Sequence, residues 1–235
     1  MYAIGEIILV VIGILIALGI NNNNEYKTTR KKEQTYLLGL RSEFQTSRLK
    51  LQELIRVNKS NYEGAKKIVE FISDKTTPPT EKQFSEVLFN TFAFDIAFNP
   101  NNSLLSEMTH SGSLKDILNL ELRKRLTSWL STLDDIAKQE KELAVQREHI
   151  LDLFRSDAYS LRTILDQTEV SDKEIGLSQK TTTASNLQLL HSRAFENNIL
   201  LFMLTSRATE TAHYQPLLED IDAILELINA EIKSN

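Results

Sequence analysis

Two kinds of hydrophobic pattern divide the chain. Ile7, Ile8, Leu9, Val10, Val11, Ile12, Gly13, Ile14, Leu15, Ile16, Ala17, Leu18, Gly19 and Ile20 run together without a charge or a strong hydrogen-bonding side chain. After Asn21 the sequence turns polar, charged and helix-periodic. A helix rises about 1.5 Å per residue, so the apolar run covers roughly 21 Å and Met1 to Ile20 roughly 30 Å, the thickness of a bilayer's hydrocarbon core. Glu6 then sits near one interface, where a carboxylate must snorkel, take up a proton or find a partner. The pattern predicts a transmembrane anchor, with residues 1–24 as anchor and polar junction. A cleaved signal peptide needs a positive segment before its apolar region, and the only charged side chain there is Glu6. A buried core helix is the remaining alternative for so short a run. Gly13 and Ala17 share one helix face at a spacing that permits close helix–helix approach, so a homo-oligomer is expected to form through them or through the long helices that follow.

Residues 25–235 predict a helical bundle domain. Leu37, Phe44, Leu51, Asn58, Ala65 and Ile72 recur every seven residues, with Leu40, Leu54, Ile55, Tyr62, Ile68 and Val69 in the alternate seam. This is a coiled-coil-grade stripe on a first long helix running from about Asn24 to Ser73. Asn58 interrupts it, and reads as a tolerated residue at the stripe's edge. Pro78 and Pro79 end the helix. Thr80 and Gln83 form a capping box for a short helix. Ser103 opens another that closes at Gly112, a good left-handed cap.

Asn119 opens the second long helix, whose apolar face runs from Leu122 through Trp129, Ile136 and Ile150 to Ile164. Glu140, Arg147 and Glu148 fall on its other faces and read as solvated. Periodicity fades near 166–185, which predicts a loop. The third long helix starts near Asn186 and runs towards Ile232, with Pro216 expected to kink or split it. The expected fold is all-α: a transmembrane helix followed by an elongated antiparallel bundle of three long helices with two short ones.

The opening YAIGEIILVVIGILIALGINNNNE resembles the signature of an uncharacterised bacterial family of single-pass membrane proteins, known only as a domain of unknown function. The chain departs from that signature at Gly19, where the family carries glutamine, and at Asn23, where it carries tryptophan. A weaker block, SGSLKDILNLELRKRL, places Gly112, Leu114, Leu122 and Arg123 at the family's recurring positions. The resemblance implies a membrane-tethered helical domain in the bacterial inner membrane and supplies no activity. It also bears on orientation. Lys27, Arg30, Lys31 and Lys32 after the run alone place the domain in the cytoplasm by the positive-inside rule. Family members commonly carry a basic segment before the span, and a start upstream of Met1 places it in the periplasm. The periplasmic reading is adopted.

Composition narrows the chemistry. A net charge of −5 with 25% charged residues gives no basic footprint, so no nucleic acid is expected as a partner. Without cysteine there are no disulfides, thiolate metal sites or cysteine nucleophiles. Seven glycines leave no phosphate-cradling loop. Glu-x-x-His occurs at Glu107/His110 and Glu210/His213, the spacing of di-metal carboxylate bundles. Chance accounts for both in a glutamate-rich chain, and His149 and His191 have no comparable partners. No catalytic, cofactor or metal residue is therefore assigned. The expected role is a non-enzymatic scaffold or adaptor of the cell envelope, binding the bilayer, an unidentified protein partner and a second copy. A ligand-sensing bundle is the alternative, and a di-metal enzyme the remote one.

Overall fold

The computed structural model describes residues 2–179 and 184–232, and for residues 2–8 and 10 the backbone only. Every regular element among the described residues is a helix, with no strand among them. Helix α1 spans Tyr2–Ser73 without a break. It is followed by α2 (Glu81–Phe92), α3 (Ser103–Ser111), α4 (Leu120–Leu151), α5 (Leu161–Gln167), α6 (Val170–Lys173), α7 (Arg193–Thr209) and α8 (Gln215–Glu231).

Local signals set several of these bounds. The Thr80 hydroxyl accepts from the Gln83 N–H at 3.2 Å while Gln83 Oε1 accepts from the Thr80 N–H at 2.9 Å, closing the capping box of α2. Gly112 ends α3 at φ 73°, a conformation that costs a residue without Cβ little. Asn119 Oδ1 accepts from the Leu122 N–H at 3.0 Å and starts α4.

Other expectations are corrected. The second long helix stops at Leu151 instead of reaching Ile164. Ser156 turns extended, Ser160 caps α5, and the buried Asn186 holds Ser160 by both its N–H (2.8 Å) and its carbonyl (2.9 Å). Asn186 thus ties two segments and opens only a short 3-10 turn over Leu187–His191, while the long helix waits for Ser192, which caps α7. The stretch 166–185 contains α6, and its residues 180–183 lie outside the described ones. Pro216 is accommodated by a π-helical turn over Glu210–Tyr214, in which the Gln215 N–H reaches back to the Glu210 carbonyl. The wider turn relieves the clash between the proline ring and the carbonyl four residues earlier.

The chain divides into two compact units. The first comprises Met1–Ser47, Pro100–Leu130 and Ile221–Asn235, the second Arg48–Asn99 and Ser131–Asp220. In the first, Phe44 packs on Trp129 with ring centroids 5.0 Å apart, and Leu37, Leu40, Leu105, Leu126 and Ile224 are buried. There α4 runs parallel to α1, because Leu118 meets Glu33 and Trp129 meets Phe44. The antiparallel expectation fails since α3 has already carried the chain back; α8, with Glu231 at Gln34, is antiparallel. The second unit's core gathers Ile68, Phe84, Leu88, Phe92, Phe195 and Phe202, with Phe92 edge-on to Phe202 at 5.0 Å.

Buried positions on α1 include Glu33, Leu37, Leu40, Phe44, Ser47, Leu51, Leu54, Asn58, Asn61, Ala65 and Ile68. Their spacing alternates four and three, a heptad seam. Asn58 is fully buried in it, not at its edge. Its amide donates to the Ser206 carbonyl at 3.2 Å and accepts from the Ser206 hydroxyl at 3.0 Å.

In the apolar run, Leu9, Val11, Ile12, Ile14, Leu15 and Ile16 are 49–74% exposed, as are Leu18 and Ile20. Among the described residues no helix is long and apolar enough to cross a membrane. Ile7, Ile8 and Val10 lie outside the residues whose side chains are described.

Two glycines on α1 mark close approaches. A Cβ on Gly64 would stand 2.1 Å from Thr91 Oγ1, and one on Gly39 2.4 Å from Leu104 Cδ2. Thr91 is buried and its hydroxyl is tied to the Val87 carbonyl at 2.6 Å, whereas a leucine tip can swing aside. Alanine gains about 1 kcal/mol over glycine in a helix interior, and overpacking costs about 1–3 kcal/mol. Denaturant unfolding should therefore show Gly64→Ala destabilised by about 1–2 kcal/mol and Gly39→Ala near neutral.

Candidate functional site

The least expected chemistry is a carboxylate in the second unit. Glu140, assigned by pattern to a solvated face, is only 7% exposed, and Tyr214 is fully buried. Glu140 Oε1 accepts from the Tyr214 hydroxyl at 2.8 Å and from the Phe98 N–H at 2.8 Å. The π turn ending at Tyr214 brings that hydroxyl onto α4, and the Phe98 contact fixes the segment after α2. Burial pushes the Glu140 carboxyl above the usual carboxylate range; its two donors oppose this and the Asp95 charge adds to it. Tyr214 is pushed far above the ordinary tyrosine range, by burial first and then by the facing carboxylate. The pair ties α4, the turn before α8 and the segment after α2 together. The heptad arithmetic could not reveal it, since both partners lie far apart in sequence.

The second unit also holds two cavities of contrasting chemistry. One, of about 770 Å³, lies among the end of α1, the turn after it and the start of α7. Phe71, Ile72, Leu187 and Leu190 form its apolar wall, with Lys75, His191 and Arg193 opposite Asp74 and Glu196. Asp74 is engaged by Thr76, through its N–H at 2.9 Å and its hydroxyl at 2.6 Å. The other cavity, about 220 Å³, is walled by Leu88, Phe92, Ile150, Phe154, Ile164 and Leu165. It offers a water molecule almost no partner and suits an apolar group.

The Glu-x-x-His pairs fall in different units. Glu107 and His110 are exposed, and His110 Nδ1 bonds its own helix at the Ser106 carbonyl, 2.6 Å away. Glu210 and His213 are half-buried in the π turn, where Glu210 faces Arg207 at 3.8 Å. Among the described residues no three His, Asp or Glu side chains gather as metal ligands. His149 is exposed, and His191 is exposed at the rim of the larger cavity.

A carboxyl whose folded pKa is raised binds its proton more tightly in the folded state. Its contribution favours folding below the unfolded pKa and is lost as pH rises through the raised value. Denaturant midpoints measured from acid to neutral pH should therefore fall across that window in the native chain and stay flatter in Glu140→Gln. Tyr214→Phe leaves the carboxylate one donor short and should cost about 1–3 kcal/mol above the window, less below it.

No curated protein and no solved structure matches the chain. A family of unknown function, DUF6090, matches residues 6–132. That span takes in the apolar run, α1 from Glu6 onward, α2, α3 and the opening of α4, and stops short of Glu140 and Tyr214. The chain belongs to the family of unknown function DUF6090.

Proposed function

We propose that the chain is a membrane-tethered, non-enzymatic helical scaffold or adaptor of the bacterial cell envelope. The observation that carries this reading is the exposure of the apolar run. Eight large aliphatic side chains from Leu9 to Ile20 are 49–74% exposed. At about 1.5–3 kcal/mol for each one buried, leaving them in water costs on the order of 10 kcal/mol, comparable to the stability of a whole domain. Something must cover them. A helix apolar on every side is suited to lipid, whereas a helix docking on one protein partner needs a single apolar stripe. Gly13 has nothing within 4 Å and leaves room for a second copy of this helix.

The adaptor part of the reading draws on α7. Leu200, Leu201 and Leu204 are 39%, 50% and 69% exposed, an outward apolar stripe opposite the face that carries Phe195, Ile199 and Phe202. Such a patch on a water-facing helix marks an interaction surface. The domain is placed on the periplasmic side of the inner membrane. A second reading, a ligand-sensing bundle, is favoured by the 220 Å³ apolar cavity. A ligand filling it would raise the unfolding temperature by mass action.

Membranes from cells expressing the full chain should retain it through alkaline carbonate washing, and an impermeant protease should reach the domain once the outer membrane is opened. Release by carbonate would sink the anchor. Co-purification in mild detergent should return a stoichiometric protein, and Leu201→Glu with Leu204→Glu should lose it while keeping the helical circular dichroism of the parent. Return of the chain alone, with unchanged behaviour of the double variant, would count against an adaptor.

A further inference from the structure

One end of the first unit has a composition that neither its fold nor the anchor requires. Four contacts define that end. The Glu33 carboxylate accepts from the Leu118 N–H at 2.7 Å, and Gln34 Nε2 donates to the Glu231 carbonyl at 2.9 Å. Asn119 Nδ2 donates to Glu231 Oε1 at 2.9 Å, and Arg123 Nη1 to the Lys115 carbonyl at 3.4 Å. The turn of α1 around residues 30–34, the segment 115–123 and the end of α8 therefore lie together. This is the end of the unit nearest the apolar run along α1.

Its charges are lopsided. Lys27, Lys31, Lys32, Lys115 and Lys124 are exposed and have no ion-pair partner among the described residues. The acids nearby are mostly occupied. Glu33 is buried against Arg30, Glu231 is held by Asn119 and Arg30, and Glu121 pairs with Arg125 at 3.0 Å. Glu25 and the half-buried Asp116 remain. Beside the lysines, Leu118 and Leu120 are 43% and 70% exposed, on a segment that Glu33 and Asn119 hold in place. Unpaired lysines around protruding leucines match an anionic lipid surface, in which cations meet headgroup phosphates and apolar tips enter below them.

We propose that this end of the first unit rests on an anionic lipid surface, with Leu118 and Leu120 entering the headgroup layer and the five lysines facing the headgroups. The inference rests on the membrane-anchored reading and deepens it. Thirteen residues separate Ile20 from Glu33, about 20 Å of helix. Packed beside α1, the segment stands about 10 Å to one side of its axis. A tilt of roughly 30–40° towards that side lowers the segment to within about 9–12 Å of the level of Ile20, with the leucine side chains reaching further down. Spanning helices tilt over about 0–40°, so the contact is reachable and would itself select the tilted orientation. Its electrostatic part acts over about 10 Å at moderate salt and weakens as salt rises.

The absence of cysteine makes the test clean. The full chain carrying Leu120→Cys, Leu118→Cys or, as a control about 14 Å further along α1, Ser42→Cys, is labelled with an environment-sensitive fluorophore. It is then reconstituted into vesicles of phosphatidylcholine with or without phosphatidylglycerol, and alkaline extraction of the same vesicles is scored in parallel. The inference expects blue-shifted emission and several-fold stronger quenching by nitroxide lipids at positions 118 and 120 than at 42. It expects the effect in anionic vesicles only, and its loss in high salt or on adding Lys31→Glu and Lys32→Glu. Water-like emission at all three positions in protein that resists extraction overturns this inference and leaves the anchor standing. A blue shift that lipid quenchers do not touch assigns the leucines to a protein contact and overturns it as well. Protein removed by alkali overturns both readings.

Discussion

Backbone hydrogen bonding along the flank of α1 is the constraint on which the first unit depends. The chain between α2 and α4 descends beside that helix, and its N–H groups would be shut away from water without partners there, at a cost comparable to a lost hydrogen bond each. Side chains of α1 meet the need. Ser47 accepts from the Asn101 N–H at 2.9 Å and donates to its carbonyl at 3.2 Å. The Glu43 carboxylate accepts from the N–H groups of Leu104 and Leu105 at 2.6 and 3.2 Å. Helix α3 has no side-chain cap of its own at Asn102, so a distant carboxylate serves as one, and a negative charge at a helix start is favoured by the dipole as well. Glu33 repeats the device at Leu118. Three polar residues thus fix where the connecting chain runs.

The same residues show why part of the fold was legible in sequence and part was not. Leu37, Phe44, Leu51 and Ala65 announce the seam because burial and hydrophobicity coincide. The Thr80–Gln83 box, Gly112 and Asn119 announce element ends because each acts within four residues of itself. Glu33, Ser47, Asn58 and Asn61 occupy seam positions equally well, yet a hydropathy pattern assigns polar residues to the outside. The partners of Glu33, Ser47 and Asn58 lie on other segments, 85, 54 and 148 residues away. Glu140 was misplaced for the same reason, with its Tyr214 partner 74 residues on. The early end of α4 belongs here too, since the Asn186 that holds Ser160 is 26 residues distant.

Polar residues in a heptad seam also limit register. An apolar ridge alone tolerates a slide of one heptad, because leucine meets leucine again. Sliding α1 would bring Ser47 away from Asn101 and Glu43 away from the start of α3, stranding buried donors and acceptors at once. The penalty for unmet buried groups exceeds the net gain from meeting them. The seam's apolar members thus supply most of the attraction, and its polar members choose among the alignments that attraction allows. Gly39 and Gly64 add a steric version of the same choice, each admitting a neighbour that any larger residue would displace.

Helical continuity then determines how the apolar run communicates with the first unit. A flexible, glycine-rich tether would let a domain reorient freely. Here Asn21 to Asn24 are helical like the residues on either side, and α1 passes through them into the seam without a break. Asparagine is a mediocre helix former, and four in succession cost about 2–3 kcal/mol relative to alanine. The segment holds because helix propagation continues from both sides, and the seam beyond it is locked by Glu33 and Glu43. Rotation or tilt of the apolar run is therefore transmitted to the turn at residues 30–34 and to the leucine-bearing segment that Glu33 holds. In such an arrangement the orientation of the first unit follows that of the apolar run, and a contact made by Leu118 or Leu120 acts back on the tilt of α1 through Glu33.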